Sequence, residues 1–115
     1  MKVTIYHNPR CSKSRMTLDL LRSRSIEPSI VEYLKTPLSE SELLKLLEML
    51  KMSPRNLLRK GEAAYKEAGL DQDGVSDQTI IQAMVHYPVL IERPIVVANG
   101  KAAIGRPPES ILDIL

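Results

Sequence analysis

The chain's single cysteine, Cys11, lies in the run His7-Asn8-Pro9-Arg10-Cys11-Ser12-Lys13-Ser14-Arg15, with Arg10, Lys13 and Arg15 close to the sulfur in sequence. A thiol attacks as the thiolate, and cationic neighbours favour that form. Cys11-Ser12-Lys13-Ser14 is a Cys-x-x-Ser spacing, so Ser14 holds the place that a second, resolving cysteine has in a redox Cys-x-x-Cys. The Ser14 hydroxyl can donate a hydrogen bond to a thiolate or cap a helix. With no resolving thiol in the chain, redox turnover needs an external thiol such as glutathione or a glutaredoxin. His7, four residues before Cys11, can tune the cysteine or simply hold its loop. The competing reading of Cys11 is an inert, buried small hydrophobe; its polar flanks favour the reactive one.

Arg59, Arg93 and Arg106 form a second candidate group. The planar guanidinium fork binds tetrahedral oxyanions through paired hydrogen bonds and stays charged at any working pH. Plain surface charge is the alternative for each. Arg93-Pro94 and Arg106-Pro107 fall at predicted element boundaries, where functional side chains are commonly presented. His86 is assigned no role beyond favouring a helix C-terminus. The glycines are dispersed, so there is no glycine-rich phosphate cradle, and one cysteine excludes a closed cysteine-based zinc site. No metal and no bound cofactor is expected.

These residues need elements to position them. Val3 to Tyr6 reads as a strand that runs into the Asn8-Pro9 loop. A helix follows, capped by Ser12 or Ser14, with Met16, Leu18, Leu20 and Leu21 on its apolar face and an end at Ser23-Arg24-Ser25. Cys11 then sits where free backbone N–H groups and the positive end of the helix dipole meet. Ser29 to Leu34 reads as a second strand, parallel to the first because a helical crossover joins them. From about residue 39 to 88 the pattern is helical. Ser39-Glu40-Ser41-Glu42 is a capping box before Leu43, Leu46, Leu47 and Leu50, Ser53-Pro54 opens another helix with a cap, and a third starts near Ser76-Asp77 with Ile80, Ile81, Met84 and Val85. Ile95-Val96-Val97 and Ala102-Ala103-Ile104 flank Asn99-Gly100, a strong hairpin signal, and Pro107-Pro108 opens a last helix carrying Ile111, Leu112 and Leu115. The order is βαβ, a helical insertion, then ββα: an α/β, thioredoxin-like fold in one domain spanning residues 1–115.

Composition narrows the function classes. The 115 residues are 43% hydrophobic, carried by aliphatic residues with four Tyr and no Phe or Trp. A net charge of +2 is too small for a nucleic-acid footprint, and no run approaches the ~20 apolar residues of a membrane span. Without a leader-like apolar segment, and with one cysteine, the expectation is a soluble cytoplasmic protein with neither nucleic-acid nor membrane partners.

Taken in order, Ile5-Tyr6-His7-Asn8-Pro9-Arg10-Cys11 with Ser14-Arg15, Glu32-Tyr33-Leu34 with Thr36-Pro37, Leu57-Leu58-Arg59-Lys60, His86-Tyr87-Pro88-Val89-Leu90-Ile91 with Arg93-Pro94-Ile95-Val96-Val97, and Arg106-Pro107 with Leu112-Asp113-Ile114-Leu115 resemble the glutaredoxin-linked arsenate reductase family (ArsC family) in its short branch. The resemblance implies that Cys11 attacks arsenate, a small oxyanion, and that glutathione and glutaredoxin complete the reduction. It implies Arg59, Arg93 and Arg106 as oxyanion ligands, His7, Ser14 and Arg15 as lining of the cysteine loop, and a cis peptide at Arg93-Pro94. Ser12-Lys13 stands where the dedicated arsenic-resistance enzymes carry Gly-Thr. The fold also resembles Spx-type regulators that bind RNA polymerase, but those usually carry Cys-x-x-Cys. A glutathione-dependent thiol reductase without arsenate activity is the third reading.

Overall fold

The computed structural model describes residues 2–115. The chain divides into two compact units. One runs up to Thr36 and resumes from Arg93 to Leu115, and the other is Pro37–Glu92.

The first unit is built on a four-stranded sheet. In β1 (Val3–Tyr6) burial alternates, with Val3 and Ile5 turned to the core, as the two-residue period of a strand requires. Helix α1 (Ser12–Ser23) buries Ser14, Thr17, Leu18 and Leu21, the i, i+3, i+4, i+7 stripe of a helix packed on one face. β2 (Ser29–Val31) pairs parallel to β1, as the crossover predicts. It is shorter than the expected Ser29–Leu34, because the Glu32 carbonyl accepts from the amides of both Lys35 and Thr36 and turns the chain out of the sheet. β3 (Ile95–Ala98) pairs antiparallel to β1, and β4 (Lys101–Ile104) antiparallel to β3, giving the order β2-β1-β3-β4. The hairpin turn places Asn99 at φ 56° and Gly100 at φ 72°, the left-handed pair that Asn-Gly accommodates best. Val3, Ile5, Leu18, Leu21, Val96, Ala98 and Ile111 form one buried cluster. Each Val, Leu and Ile among them contributes roughly 1.5–3 kcal/mol on burial.

The last element, Pro108–Ile114, is a 3₁₀ helix and not the expected α-helix. Pro107 and Pro108 offer no backbone donors, and seven residues give little of the cooperativity that sustains α-helical bonding. Ile111 is nonetheless fully buried.

In the second unit, α2 (Glu40–Leu50) begins with the predicted capping box. The Glu42 amide donates to Ser39 Oγ at 3.1 Å, and the Ser39 amide donates to Glu42 Oε1 at 3.2 Å. α3 (Pro54–Leu57) has Ser53 at its N-cap and proline in its first turn, as the sequence predicts, although the Ser53 side chain makes no cap bond. α4 (Ala63–Glu67) was not anticipated. α5 (Asp77–His86) is capped by Ser76, which accepts from the Thr79 amide, and buries Ile80, Ile81, Ala83 and Met84. α2 and α3 both pack on α5. Among the described residues, no helix is long and apolar enough to cross a membrane.

Candidate active site

Strand direction explains how distant residues meet in the sheet unit. β1 runs toward the Cys11 loop, β3 starts beside its end with Ile95 opposite Tyr6, and β4 returns to the same end with Ile104 opposite Ile95. The cysteine loop, Arg93-Pro94 and Gly105-Arg106 therefore share one end of the sheet. The Gly105 amide donates to the Pro94 carbonyl at 2.9 Å and closes that end of the hairpin. Both Arg93-Pro94 and Arg106-Pro107 are cis; the resemblance had implied the first.

Cys11 is buried and is itself the N-cap of α1, displacing Ser12 and Ser14 from the role expected of them. Its amide donates to the Asn8 carbonyl at 3.0 Å, and its carbonyl accepts the first helical bond from the Arg15 amide at 3.0 Å. The Asn8 side chain accepts from the Arg10 amide, folding the loop back on itself. Arg15 Nη1 donates to the Pro9 carbonyl at 2.9 Å, so this arginine holds the loop from its exposed side. Arg106 Nη1 lies 4.0 Å from Cys11 Sγ and sets a fixed positive charge against the sulfur.

Ser14 is fully buried. It was expected to face the thiolate or cap the helix; instead its Oγ lies 2.6 Å from His7 Nδ1 and accepts from the Asn8 amide at 3.0 Å. A hydroxyl has one proton, and donation to an unprotonated Nδ1 uses it. Burial, the largest influence, pushes the His7 pKa below its ordinary value; Glu32 opposes the shift, and Arg22 and Arg15 reinforce it. The ring is accordingly neutral at neutral pH and can accept from Ser14. Beside it lies a cavity of about 250 Å³, walled by His7, Asn8, Pro9, Arg10, Glu32, Leu34 and Lys35, which presents both signs of charge.

Helix α1 is tied to the hairpin by Thr17. Its hydroxyl lies 2.8 Å from the Lys13 carbonyl and 3.4 Å from the Gly105 carbonyl. A Cβ at Gly105 would collide with the Thr17 side chain and lie 2.8 Å from Pro94 Cγ, so this close approach requires glycine.

Arg59 belongs to the helical unit. A single antiparallel bridge joins Leu58 to Ile91; around it the Arg59 amide donates to the Leu90 carbonyl at 2.7 Å, and the Glu92 amide to the Leu57 carbonyl at 2.9 Å. Arg59 Nη2 is 3.4 Å from Glu62 Oε1, and Nη1 is 3.6 Å from Glu92 Oε1. Nη1 is buried without a hydrogen-bond partner.

A family model described as the ArsC family matches residues 6–114. The chain belongs to the ArsC family. The Escherichia coli K12 protein YfgD, itself uncharacterised, is 56% identical over 115 residues, which cover 99% of this chain and 97% of that one. A Neisseria meningitidis arsenate reductase is 46% identical over 115 residues, 99% and 98% of the two chains. The solved arsenate reductase from Vibrio cholerae superposes with a TM-score of 0.97 at 49% identity, over 100% of this chain and 98% of that one. The α/β architecture read from the order of elements is thus that of solved ArsC-family relatives. Among the described residues of this ArsC-family chain, no group of three or more His, Cys, Asp or Glu is placed to hold a metal ion.

Sequence reading of this ArsC-family member missed Asn8, Thr17, Gly105, Glu62 and Glu92. Asn8 carried a signal, since an Asn-Pro turn beside a candidate nucleophile invites side-chain bonding to the loop. Glu62 also carried one, standing three residues after Arg59, whereas Thr17, Gly105 and Glu92 act through contacts between segments distant in sequence.

Proposed function

We propose that the chain is a glutathione- and glutaredoxin-dependent arsenate reductase, with Cys11 as nucleophile and Arg59, Arg93 and Arg106 as oxyanion ligands. The observation that carries this reading is the Cys11 sulfur at the N-terminus of α1 with Arg106 Nη1 4.0 Å away, in a chain whose relatives include proteins named arsenate reductase. A dianion approaching an anionic nucleophile needs positive charge to offset repulsion and the charge that builds up in the transition state.

In the first step the Cys11 thiolate forms a bond to arsenic(V), and an arsenate hydroxyl, protonated, leaves as water. Arg93 and Arg106 at the sheet end, and Arg59, hold the remaining oxygens. His7, Ser14 and Arg15 keep the loop in place: Ser14 and neutral His7 share a hydrogen bond, and Arg15 braces the Pro9 carbonyl. Reduction to arsenic(III) takes two electrons. Two thiols supply them by becoming one disulfide, and because this chain has no second cysteine, external glutathione and glutaredoxin provide the reducing thiols; water then cleaves the Cys11–arsenic(III) bond, releasing arsenite and restoring the Cys11 thiol. The cavity beside the cysteine loop supports that role: Arg10 and Lys35 suit carboxylates and Glu32 suits an ammonium, the groups of a zwitterionic peptide thiol. With its reductants in the cytoplasm, the protein works there.

The test is arsenate-dependent NADPH oxidation coupled through glutathione reductase, glutathione and glutaredoxin. Wild type turns over, and Cys11→Ser is inactive with an unchanged melting temperature. Turnover retained in Cys11→Ser would refute the mechanism.

A further inference from the structure

We propose that Glu62 and Glu92 set which oxyanion Arg59 accepts: a tetrahedral anion that still carries a proton, such as hydrogen arsenate or hydrogen phosphate, in preference to a fully ionised one such as sulfate. The inference rests on the reading of Arg59 as an anion ligand. Charge-assisted hydrogen bonds between a guanidinium and a carboxylate run at about 2.7–2.9 Å. The separations here, 3.4 Å to Glu62 and 3.6 Å to Glu92, are longer, and the ion pair to Glu92 leaves the Nη1 donor without a hydrogen bond. Buried polar side-chain atoms normally find a partner, yet Arg59 Nη1 makes no hydrogen bond. The carboxylates leave that donor available while standing within reach of whatever occupies it.

Backbone bonding holds this arrangement in place. Arg59 and Glu92 sit on two segments joined by the Leu58–Ile91 bridge and its flanking bonds, and Glu62 follows Arg59 by three residues. An anion oxygen on Nη1 or Nη2 therefore comes close to a carboxylate oxygen. An ionised carboxylate only accepts hydrogen bonds. It repels an anion oxygen that has no proton and accepts a hydrogen bond from one that has. Hydrogen arsenate and hydrogen phosphate carry an O–H at neutral pH; sulfate does not. Arg59 and its two carboxylates together supply the donor and acceptors that such a ligand matches.

Calorimetric titration of the full chain with phosphate and with sulfate at pH 7 tests this without turnover. Wild type binds phosphate at least about tenfold more tightly than sulfate, the factor expected from one hydrogen bond to a charged group. In Glu62→Gln and Glu92→Gln the carboxylate charge is lost and an NH₂ donor takes the place of one acceptor oxygen, so sulfate binding tightens and the phosphate preference falls toward unity. Glu62→Asp and Glu92→Asp retain the preference. A merely structural role for the carboxylates would move both anions together and leave their ratio alone. Equal affinities in wild type, a ratio unchanged in both Gln variants, no binding of either anion, or full binding retained in Arg59→Ala would each overturn the proposal. If the ratio shifts as expected in a protein that does not reduce arsenate, the anion selectivity stands and the reductase reading falls.

Discussion

Arg106 and Cys11 are 95 positions apart in sequence, yet the guanidinium Nη1 of one lies 4.0 Å from the sulfur of the other. The contact exists because β1, β3 and β4 deliver their ends to the same side of the sheet.

Replacing Arg106 with alanine removes a preorganised positive donor where charge develops, a loss worth on the order of 10²-fold in turnover. Arg106→Lys recovers part of the rate, because lysine supplies charge without the planar fork. The coupled NADPH assay measures both. The side chain is exposed, so the melting temperature stays near that of wild type.

His7 gives stability a pH dependence whose sign follows from its lowered pKa. In the unfolded chain the ring protonates near its ordinary value of about 6.5; in the folded chain it does so only at lower pH. Between these values the unfolded state holds the extra proton. Stability is at its full value above about pH 6.5 and declines as pH falls from there through the folded pKa. Urea midpoints at pH 7.5 and pH 5 should differ more for wild type than for His7→Gln; equal differences would contradict the assignment.

Ser14→Ala leaves His7 Nδ1 and the Asn8 amide without their shared partner. An unsatisfied buried polar group costs about 1–3 kcal/mol. Denaturant unfolding should show that loss, together with reduced turnover as the cysteine loop loosens.

Gly105→Ala forces a methyl group against Thr17 and Pro94. Overpacking of this kind costs about 1–3 kcal/mol. It also pushes α1 from the hairpin that carries Arg106, so activity and melting temperature should fall together.

Local signals carried much of the fold. Asn99-Gly100 announced the hairpin because few other pairs suit two successive positive φ angles. Ser39 and Glu42 announced α2 because reciprocal capping needs that spacing. α4 escaped notice because its five residues, none of them buried, leave no periodic apolar stripe. The terminal element was misread because proline marks the start of α and 3₁₀ helices alike. At the site, Cys11 and its loop could be read from types and spacing. Ser14's preference for His7 could not, because it depends on a strand end meeting the first turn of a helix. Glu92 was invisible for a related reason: an acidic residue looks like surface charge until folding places a particular arginine beside it, whereas Glu62 stands only three residues from Arg59.

The sheet unit is discontinuous in sequence, since its central strand β1 must wait for β3, made after the whole of Pro37–Glu92. At ribosomal rates of about 5–20 residues per second, that wait is on the order of 10 s. Until then β1 has only the three-residue β2 as a neighbour, and two strands alone are marginal in water. The helical segment, complete in one stretch of chain, is able to form first. During synthesis Cys11 therefore stands on an unfinished chain, and it acquires its arginine neighbour only after Arg106 has been added.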